Sequence, residues 1–250
     1  MAENGGNGAS SGGPVISVRG MSTGYGGNPV VHDLSFDVKA GEVLCLLGPN
    51  GAGKTTTMLA LAGELPLLSG EVEFAGVGGK APLYKRARNG LSYVTEERSV
   101  FKGMTLRDNL RVGGVNADEV IELFPELEKR MSTRGGLLSG GEQQMLTLGR
   151  ALARKPRLLL ADELSLGLAP LVVDRLLQAV RRAADEQGTA VIMVEQHAHK
   201  ALRYTDHAIV IRRGRVGLDL SGEDARKSIQ EVEQAYLTSA GGNGAGTPAS

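Results

Sequence analysis

The pattern of apolar and polar residues changes along this chain from alternation to continuous apolar runs. The opening segments, VISVRGM and VVHDLSFDVKAG, alternate apolar and polar residues, which is typical of half-exposed strands. Three later segments, VLCLL at 43–47, LLLA at 158–161 and AVIMV at 190–194, are apolar throughout. Such runs are typical of strands buried on both faces of a parallel sheet. The pattern therefore predicts an α/β fold in which helices separate buried parallel strands.

One helix is well marked between the last two apolar runs. Pro170 stands at a plausible first helical position, and Gly188 stands just past the predicted end. The apolar stripe of this helix consists of Val173, Leu176, Leu177, Val180 and Ala184. The stretch from about 98 to 150 has a more helical composition and interrupts the strand pattern. We therefore expect a helical subdomain inserted in the α/β core.

The composition limits the class of protein. Residues 1–13 and 238–250 are rich in Gly, Ser and Asn, so we expect disordered tails around one domain at 14–237. The formal net charge is zero, which argues against a nucleic-acid partner. The single cysteine, Cys45, lies in an apolar run, which favours a buried side chain and suits a reducing compartment. No apolar run approaches the roughly 20 residues of a membrane helix, and the N-terminus lacks the features of a signal peptide.

A phosphate-binding loop is the most specific motif in the chain. The run VLCLL leads directly into GPNGAGKT at 48–55, and an apolar helical segment follows. Glycines let successive backbone N–H groups point at phosphates, and the helix N-terminus adds its dipole. Lys54 is predicted to contact the β- and γ-phosphates, and Thr55 to contact Mg²⁺. The residues predicted to bind ATP in this loop are Gly48, Pro49, Asn50, Gly51, Ala52, Gly53, Lys54, Thr55 and Thr56.

An acidic pair, Asp162 and Glu163, ends the second apolar run. Ligands of open α/β sheets bind at the carboxyl ends of the strands, so a pair in this place points to chemistry. Asp162 is predicted to hold Mg²⁺ through water, and Glu163 to activate or orient the attacking water. The alternative is a pair of solvated carboxylates at a strand end, which the phosphate loop upstream disfavours.

The segment LSGGEQQMLTLGRAL, from residue 138, predicts a capped helix. Ser139 and Glu142 have the spacing of a capping box, so Ser139 is expected to cap a helix that continues to about Ala153. Gly140 and Gly141 leave backbone N–H groups accessible at the helix start, where an anion can approach closely. Taken alone, the segment is also consistent with an ordinary capped helix.

These motifs, in this order, resemble the nucleotide-binding domains of ABC transporters, whose signature motif reads LSGGQ. The resemblance covers about residues 14–237. It implies a P-loop NTPase (RecA-like) core with an N-terminal antiparallel β subdomain and an inserted helical subdomain. It also implies that two domains pair head to tail, so that Ser139, Gly140, Gly141 and Glu142 act in trans on ATP held by a partner subunit. Tyr25 in TGYG matches the aromatic residue that stacks on adenine in this family.

The resemblance implies an ATPase that works with ATP and Mg²⁺ on the cytoplasmic face of a membrane. Its expected partners are a second ATPase subunit, in a homodimer or a heterodimer, and a transmembrane permease, with a solute-binding protein acting indirectly. The segments ELFPEL, SLGLAP and VEQ-x-A-x-x-AL are similar to those of bacterial branched-chain amino-acid importers. The ATP-binding subunits of urea and amide importers have similar segments. A non-transport ABC ATPase acting on nucleic acid is a further alternative, which a chain of 250 residues with zero net charge disfavours. A regulatory subunit that hydrolyses ATP poorly is a third, which the intact Lys54, Asp162 and Glu163 disfavour.

Four positions depart from the general family pattern. Glu96 replaces a glutamine that binds Mg²⁺, so the expected metal-binding residues are Thr55, Asp162 and Glu96. Gln196 replaces the histidine that contacts the γ-phosphate, and we expect it to donate a hydrogen bond without a positive charge. Leu164 and Ala169 stand where a proline and an aspartate are usual. The predicted catalytic residues are Glu163, Lys54 and Gln196.

Overall fold

The computed structural model describes residues 13–195 and 198–221. The described residues form nine strands: β1 (Ile16–Tyr25), β2 (Asn28–Val38), β3 (Val43–Leu47), β4 (Leu67–Phe74), β5 (Leu91–Val94), β6 (Leu158–Asp162), β7 (Ala190–Glu195), β8 (His207–Arg212) and β9 (Arg215–Ser221). Their helices are α1 (Lys54–Ala62), α2 (Leu83–Arg88), α3 (Leu106–Val112), α4 (Ala117–Leu123), α5 (Gly140–Leu152), α6 (Pro170–Gln187) and α7 (Ala198–Ala201). Short 3₁₀ turns lie at Pro125–Arg130, Gly135–Leu137 and Leu202–Tyr204.

The strands form two sheets. The larger sheet has the order β5-β6-β7-β3-β8-β9, in which the first five strands are mutually parallel and β9 is antiparallel to β8. The smaller sheet is antiparallel and has the order β2-β1-β4. The stretch between β5 and β6 contains only helices and turns. This is the α/β architecture predicted from the sequence, with its antiparallel β unit and its helical insertion.

The two faces of the larger sheet bury separate hydrophobic cores. Every residue of β3, β6 and β7 is buried, as the continuous apolar runs predict. Val43, Cys45 and Leu47 pack against α6 and the helical insertion, whereas Leu44 and Leu46 pack against α1 and the antiparallel sheet. Alternate residues of a strand point to opposite faces, so β3 joins both cores. Each fully buried aliphatic side chain contributes about 1.5–3 kcal/mol.

The predicted helix over 170–187 is observed with both of its end signals. Pro170 is the first residue of α6, and Gly188 caps its end at a left-handed φ of 68°. All five residues of the predicted apolar stripe are buried.

A buried arginine is held by backbone carbonyl oxygens. Arg86 of α2 is fully buried and donates hydrogen bonds to the carbonyl oxygens of Leu61, Gly79 and Ala81. Burial lowers the pKa of its guanidinium group. Because Leu61 lies in the last turn of α1, Arg86 ties the end of that helix to the loop before α2.

Several predictions fall outside the described residues: Gln196, the tails apart from Gly13, and the part of the predicted domain beyond residue 221. Among the helices that the structure describes, none has the length and apolar character needed to span a bilayer.

Candidate nucleotide-binding site

The site lies at the carboxyl edge of the parallel sheet, where three neighbouring strands end. The strand β7 lies between β6 and β3, so its end separates the acidic pair from the phosphate loop. Asp162 is paired with Val194, and Leu47, which precedes the loop, is paired with Glu195. Residues far apart in the sequence are thereby brought to one edge, as expected for a ligand site in a parallel sheet.

The phosphate loop needs its glycines for conformation and for space. Gly51 and Gly53 have left-handed φ values of 78° and 102°, which residues with a Cβ rarely adopt. A Cβ at Gly53 would also lie 2.9 Å from Cγ2 of Val31 in the antiparallel sheet. The helix α1 begins at Lys54, directly after the loop. The loop thus leads directly into the N-terminus of α1, with Gly53 as the N-cap residue.

The ammonium group of Lys54 is held inside the loop. Its Nζ atom donates hydrogen bonds to the carbonyl oxygens of Gly48, at 2.8 Å, and Pro49, at 3.2 Å. Burial lowers the pKa of Lys54, and the nearby charges of Glu163 and Asp162 raise it in part. Lys54 therefore places a positive charge between the loop and the acidic strand end.

A cavity of about 300 Å³ opens beside the loop, and we call it the phosphate-loop cavity. Its volume is at the lower end of the range for small-molecule sites. Its walls are Val30, Asn50, Gly51, Gly53, Lys54, Thr55, Thr56, Glu96 and Glu163. The structure therefore brings the predicted loop, the glutamate that follows β5 and the glutamate that follows β6 to one space.

Asp162 does not line the cavity and is only 1% exposed. Burial raises its pKa to about 6, and the charges of Glu163 and Glu96 raise it as well, while the Thr55 hydroxyl, within hydrogen-bonding reach, lowers it. The phenol of Tyr93 in β5 also faces this carboxyl group. Burial, together with the charge of Asp162, raises the pKa of Tyr93. Asp162 is thus a carboxyl group that a nearby cation would stabilise in its ionised form.

The residues predicted to hold Mg²⁺ fit a hydrated cation better than a bare one. The buried Oδ1 atom of Asp162 has no hydrogen-bond partner, so one oxygen remains available for a cation or its water. Thr55 and Glu96 line the adjoining cavity. No group of three His, Cys, Asp or Glu side chains that could enclose a metal occurs among residues 13–195 and 198–221. Mg²⁺ usually keeps several waters and takes ligands from phosphate, so it does not require such a group.

Glu163 has an unusual backbone conformation for a residue with a side chain. Its φ is 51°, in the left-handed region. Its N–H donates to the carbonyl oxygen of Val194 at 2.9 Å, which continues the pairing with β7 beyond β6. A left-handed residue other than glycine costs about 1–2 kcal/mol, so the surroundings must hold this backbone in place.

The predicted capping box is present at the start of α5. The Glu142 N–H donates to Oγ of Ser139 at 3.2 Å, and the Ser139 N–H donates to Oε2 of Glu142 at 2.7 Å. Glu142 also forms an ion pair with Arg130 at 2.7 Å. Among the described residues, the segment 139–142 is absent from the walls of the phosphate-loop cavity. This separation within one chain is what the expected action in trans requires.

Not every predicted residue reaches the cavity. Of the described residues predicted to bind ATP, Tyr25, Gly48, Pro49 and Ala52 do not line it. Tyr25 ends β1 with 53% of its surface exposed, which leaves its ring accessible for stacking. Gln196 lies outside the described residues, so its role stays a prediction.

Three residues near the site were not predicted from the sequence. Val30, of the antiparallel sheet, lines the phosphate-loop cavity, and Tyr93 faces Asp162. Glu195 is a buried carboxyl group at the end of β7. Its place in the sequence could have predicted a supporting role, because a carboxylate at the end of a wholly apolar run requires a buried polar partner.

A buried strand, a glycine-rich loop and a lysine at the start of the next helix, beside an acidic strand end, define a P-loop nucleotide-binding protein. Comparison with known families then identifies the family of P-loop proteins to which the chain belongs. The family described as "ABC transporter" matches residues 31–165, and the chain belongs to this family. The predictions of an ABC-type ATPase, of its fold and of ATP as its nucleotide are thereby confirmed.

Individual relatives agree with this assignment. The chain is 40% identical over 235 residues to the high-affinity branched-chain amino acid transport ATP-binding protein BraG of Pseudomonas aeruginosa, covering 89% of this chain and 99% of that one. It is 31% identical to the lipopolysaccharide export system ATP-binding protein LptB of Escherichia coli strain K12, covering 80% and 88%. A solved ADP conformation of an ATP-binding cassette of an ABC transporter superposes with a TM-score of 0.79, at 22% identity, covering 90% and 98%.

Proposed function

We propose that this chain is the ATP-hydrolysing subunit of an importer for branched-chain amino acids, and that it works as one half of a two-subunit nucleotide sandwich. The observation that carries the proposal is the phosphate-loop cavity, in which Lys54, Thr55, Glu96 and Glu163 meet. The likeness to BraG, which extends over nearly the whole of both chains, supports the substrate class.

The residues around the cavity have separable roles in hydrolysis. Lys54 and the loop N–H groups bind the β- and γ-phosphates and offset their charge. Thr55, Asp162 and Glu96 would hold Mg²⁺, which would supply positive charge beside the phosphate oxygens. Glu163 orients the attacking water and accepts its proton. Phosphoryl transfer depends mainly on positioning and charge stabilisation, and both functions are available at this strand edge.

The sandwich explains why the signature lies away from the cavity. In the proposed pair, Ser139, Gly140 and Gly141 of one subunit face the γ-phosphate held by the Lys54 loop of the other. The accessible N–H groups at the start of α5 suit an anion. Subunit pairing driven by ATP would then move a transmembrane permease, to which this chain attaches at the cytoplasmic face of the membrane.

Transport of a labelled substrate tests the proposal. Cells that lack the gene are given the wild-type chain, Glu163→Gln or the exposed control Glu73→Gln, and the initial rate of leucine uptake is measured. We expect uptake with the wild type and the control, and loss of uptake with Glu163→Gln, because the amide cannot accept the proton from water.

Purified chains provide the second measurement. Glu163→Gln should retain ATP binding and form a dimer with ATP and Mg²⁺, which size-exclusion chromatography detects. Leucine uptake that does not depend on this gene, together with uptake of urea or another solute that does, would overturn the substrate assignment and leave the ATPase assignment intact.

A further inference from the structure

A buried carboxyl group lies next to the site and takes no part in the roles assigned above. Glu195 ends β7 and is 1% exposed. It lies between the strand that leads into the phosphate loop and the strand that ends at Asp162. An unpaired buried carboxylate is costly, so its retention in a core strand requires polar partners. Burial raises its pKa to about 7.

Among the described residues, the hydrogen-bond partner of the Glu195 side chain belongs to the turn Glu163–Leu166. The Ser165 hydroxyl, itself 7% exposed, donates a 2.5 Å hydrogen bond to Oε2 of Glu195. The backbone amides of Ser165 and Leu164 lower the pKa of this carboxyl group in part, against the larger effect of burial. The Leu166 N–H donates to the carbonyl oxygen of Glu163 at 3.3 Å and closes the turn. One side chain on β7 therefore holds the turn at Ser165.

The residue at position 164 leaves the backbone of this turn without the constraint that a proline ring would supply. Proline is favoured at the second position of such a turn because its ring fixes φ, but proline has no N–H. This chain has Leu164 there, whose backbone amide is one of the groups that lower the pKa of Glu195. The ring constraint is absent, and a side-chain contact from the neighbouring strand replaces it. Glu163, the first residue of the turn, has a left-handed backbone that needs such support.

We propose that Glu195 is a positioning residue for ATP hydrolysis: its carboxyl group fixes the turn Glu163–Leu166 and so directs the Glu163 side chain toward the nucleotide. This inference rests on the proposed function, because Glu195 can position Glu163 for hydrolysis only if Glu163 acts on the attacking water. Glu195 itself lies outside the walls of the phosphate-loop cavity among the described residues.

Separate measurements of turnover and binding test the proposal. In the purified full chain, Glu195→Ala should lower kcat for ATP about tenfold, since small displacements of a reacting group have effects of this size. The Kd for ATP should change less than about twofold, because the phosphate loop is untouched. Glu195→Gln keeps one acceptor oxygen for the turn and should restore most of kcat. Glu42→Ala is the matched control, because the Glu42 carboxylate also accepts a backbone N–H, from Lys39, at a distance from the site.

A double-mutant cycle separates positioning from general stability. Leu164→Pro supplies the ring constraint and removes the N–H, so Glu195→Ala should lower kcat by a smaller factor in that background than in the wild type. A merely structural role predicts equal factors in both backgrounds. If Glu195→Ala does not fold, Ser165→Ala carries the test, with kcat reduced several-fold and the Kd for ATP unchanged.

The two proposals fail in different ways. If Glu163→Gln hydrolyses ATP as fast as the wild type, the proposed function fails. If Glu163→Gln is inactive but folded Glu195→Ala, or Ser165→Ala in its place, keeps the wild-type kcat, only the positioning role fails. Equal factors in the cycle, or loss of ATP affinity in parallel with kcat, also overturn the positioning role.

Discussion

The Nζ atom of Lys54 lies 2.8 Å from the carbonyl oxygen of Gly48, so the lysine hydrogen-bonds to the first residue of the loop that precedes it. The loop is thereby closed by the same side chain that is expected to bind phosphate. Lys54 is only 5% exposed, and its charge is compensated by Glu163 and Asp162. Removing the ammonium group should consequently affect both the shape of the loop and its charge.

Lys54→Ala should weaken ATP binding at least about tenfold, because a hydrogen bond to a charged group contributes about 1.5–3 kcal/mol. Titration of the purified chain with ATP and Mg²⁺ measures the Kd. Lys39→Ala removes an exposed lysine outside the cavity and should leave the Kd unchanged. An unchanged Kd for Lys54→Ala would show that the loop is not the phosphate site.

Ser139→Ala should leave ATP binding by the monomer intact and impair ATP-driven pairing and turnover. The change also removes the cap of α5, at a cost of about 1 kcal/mol. Thr105→Ala is the matched control, because the Thr105 side chain also accepts from a backbone N–H of its helix, α3, and lies outside the signature segment. Dimer formation by size-exclusion chromatography should fail for Ser139→Ala alone. Equal behaviour of the two variants would contradict action in trans.

Ala169→Asp should stabilise the chain by about 1 kcal/mol. Ala169 is the N-cap residue of α6 with φ −63° and ψ 145°, a suitable geometry, but its side chain cannot accept a hydrogen bond. Thermal unfolding should shift upward by about 2–4 °C. Ala169→Asn, which caps without a charge, should produce a similar shift. If neither variant is stabilised, the helix start is not limited by its missing cap.

Arg86→Leu should destabilise the chain by about 3 kcal/mol, because it leaves the buried carbonyl oxygen of Leu61 and the partly buried ones of Gly79 and Ala81 without their donor. Denaturant unfolding measures the change. Arg88→Leu, two residues later in the same helix and exposed, should change stability by less than about 0.5 kcal/mol. Similar losses for both variants would show that the carbonyl contacts of Arg86 contribute little.

Glu195 should make the stability of the chain depend on pH. Its pKa is raised from 4.5 to about 7 in the folded state, so the native chain binds the proton more tightly than the unfolded chain. The resulting stabilisation is complete below about pH 4.5 and is lost as the pH rises through 7. The free energy of unfolding, relative to Glu195→Gln, should fall by about 3 kcal/mol between pH 4.5 and pH 8. A pH-independent difference would contradict the raised pKa, and Glu42→Gln serves as the control.

The core strands could be predicted because each coincides with a continuous run of apolar residues. The run VLCLL coincides with β3, and the other two apolar runs match β6 and β7 to within one residue. The strand β4 was not predicted: it follows α1 in the sequence but pairs with β1, which precedes the loop. Five of its eight residues are exposed, one of them a glycine, so its apolar pattern is weak.

The loop and the acidic pair could be predicted because each is a short motif with its own chemistry. The contact between Ser165 and Glu195 could not, because it joins residues 30 positions apart through the order of the strands. The same holds for Tyr93, which reaches Asp162 only because β5 and β6 are neighbours. Local patterns identify which residues are reactive, whereas strand order decides which residues support them.

The burial of Cys45 has a practical consequence. It is the one cysteine of the sequence, it is fully buried in β3, and burial raises the pKa of its thiol well above the ordinary value. A thiol reagent in water reacts with thiolates that it can reach, so the native chain offers such a reagent no ready target. A cysteine placed at Ser132 or Lys39, both exposed, would therefore accept a fluorophore or spin label selectively. Distances between two copies of the chain could then be followed during turnover without first removing a native thiol.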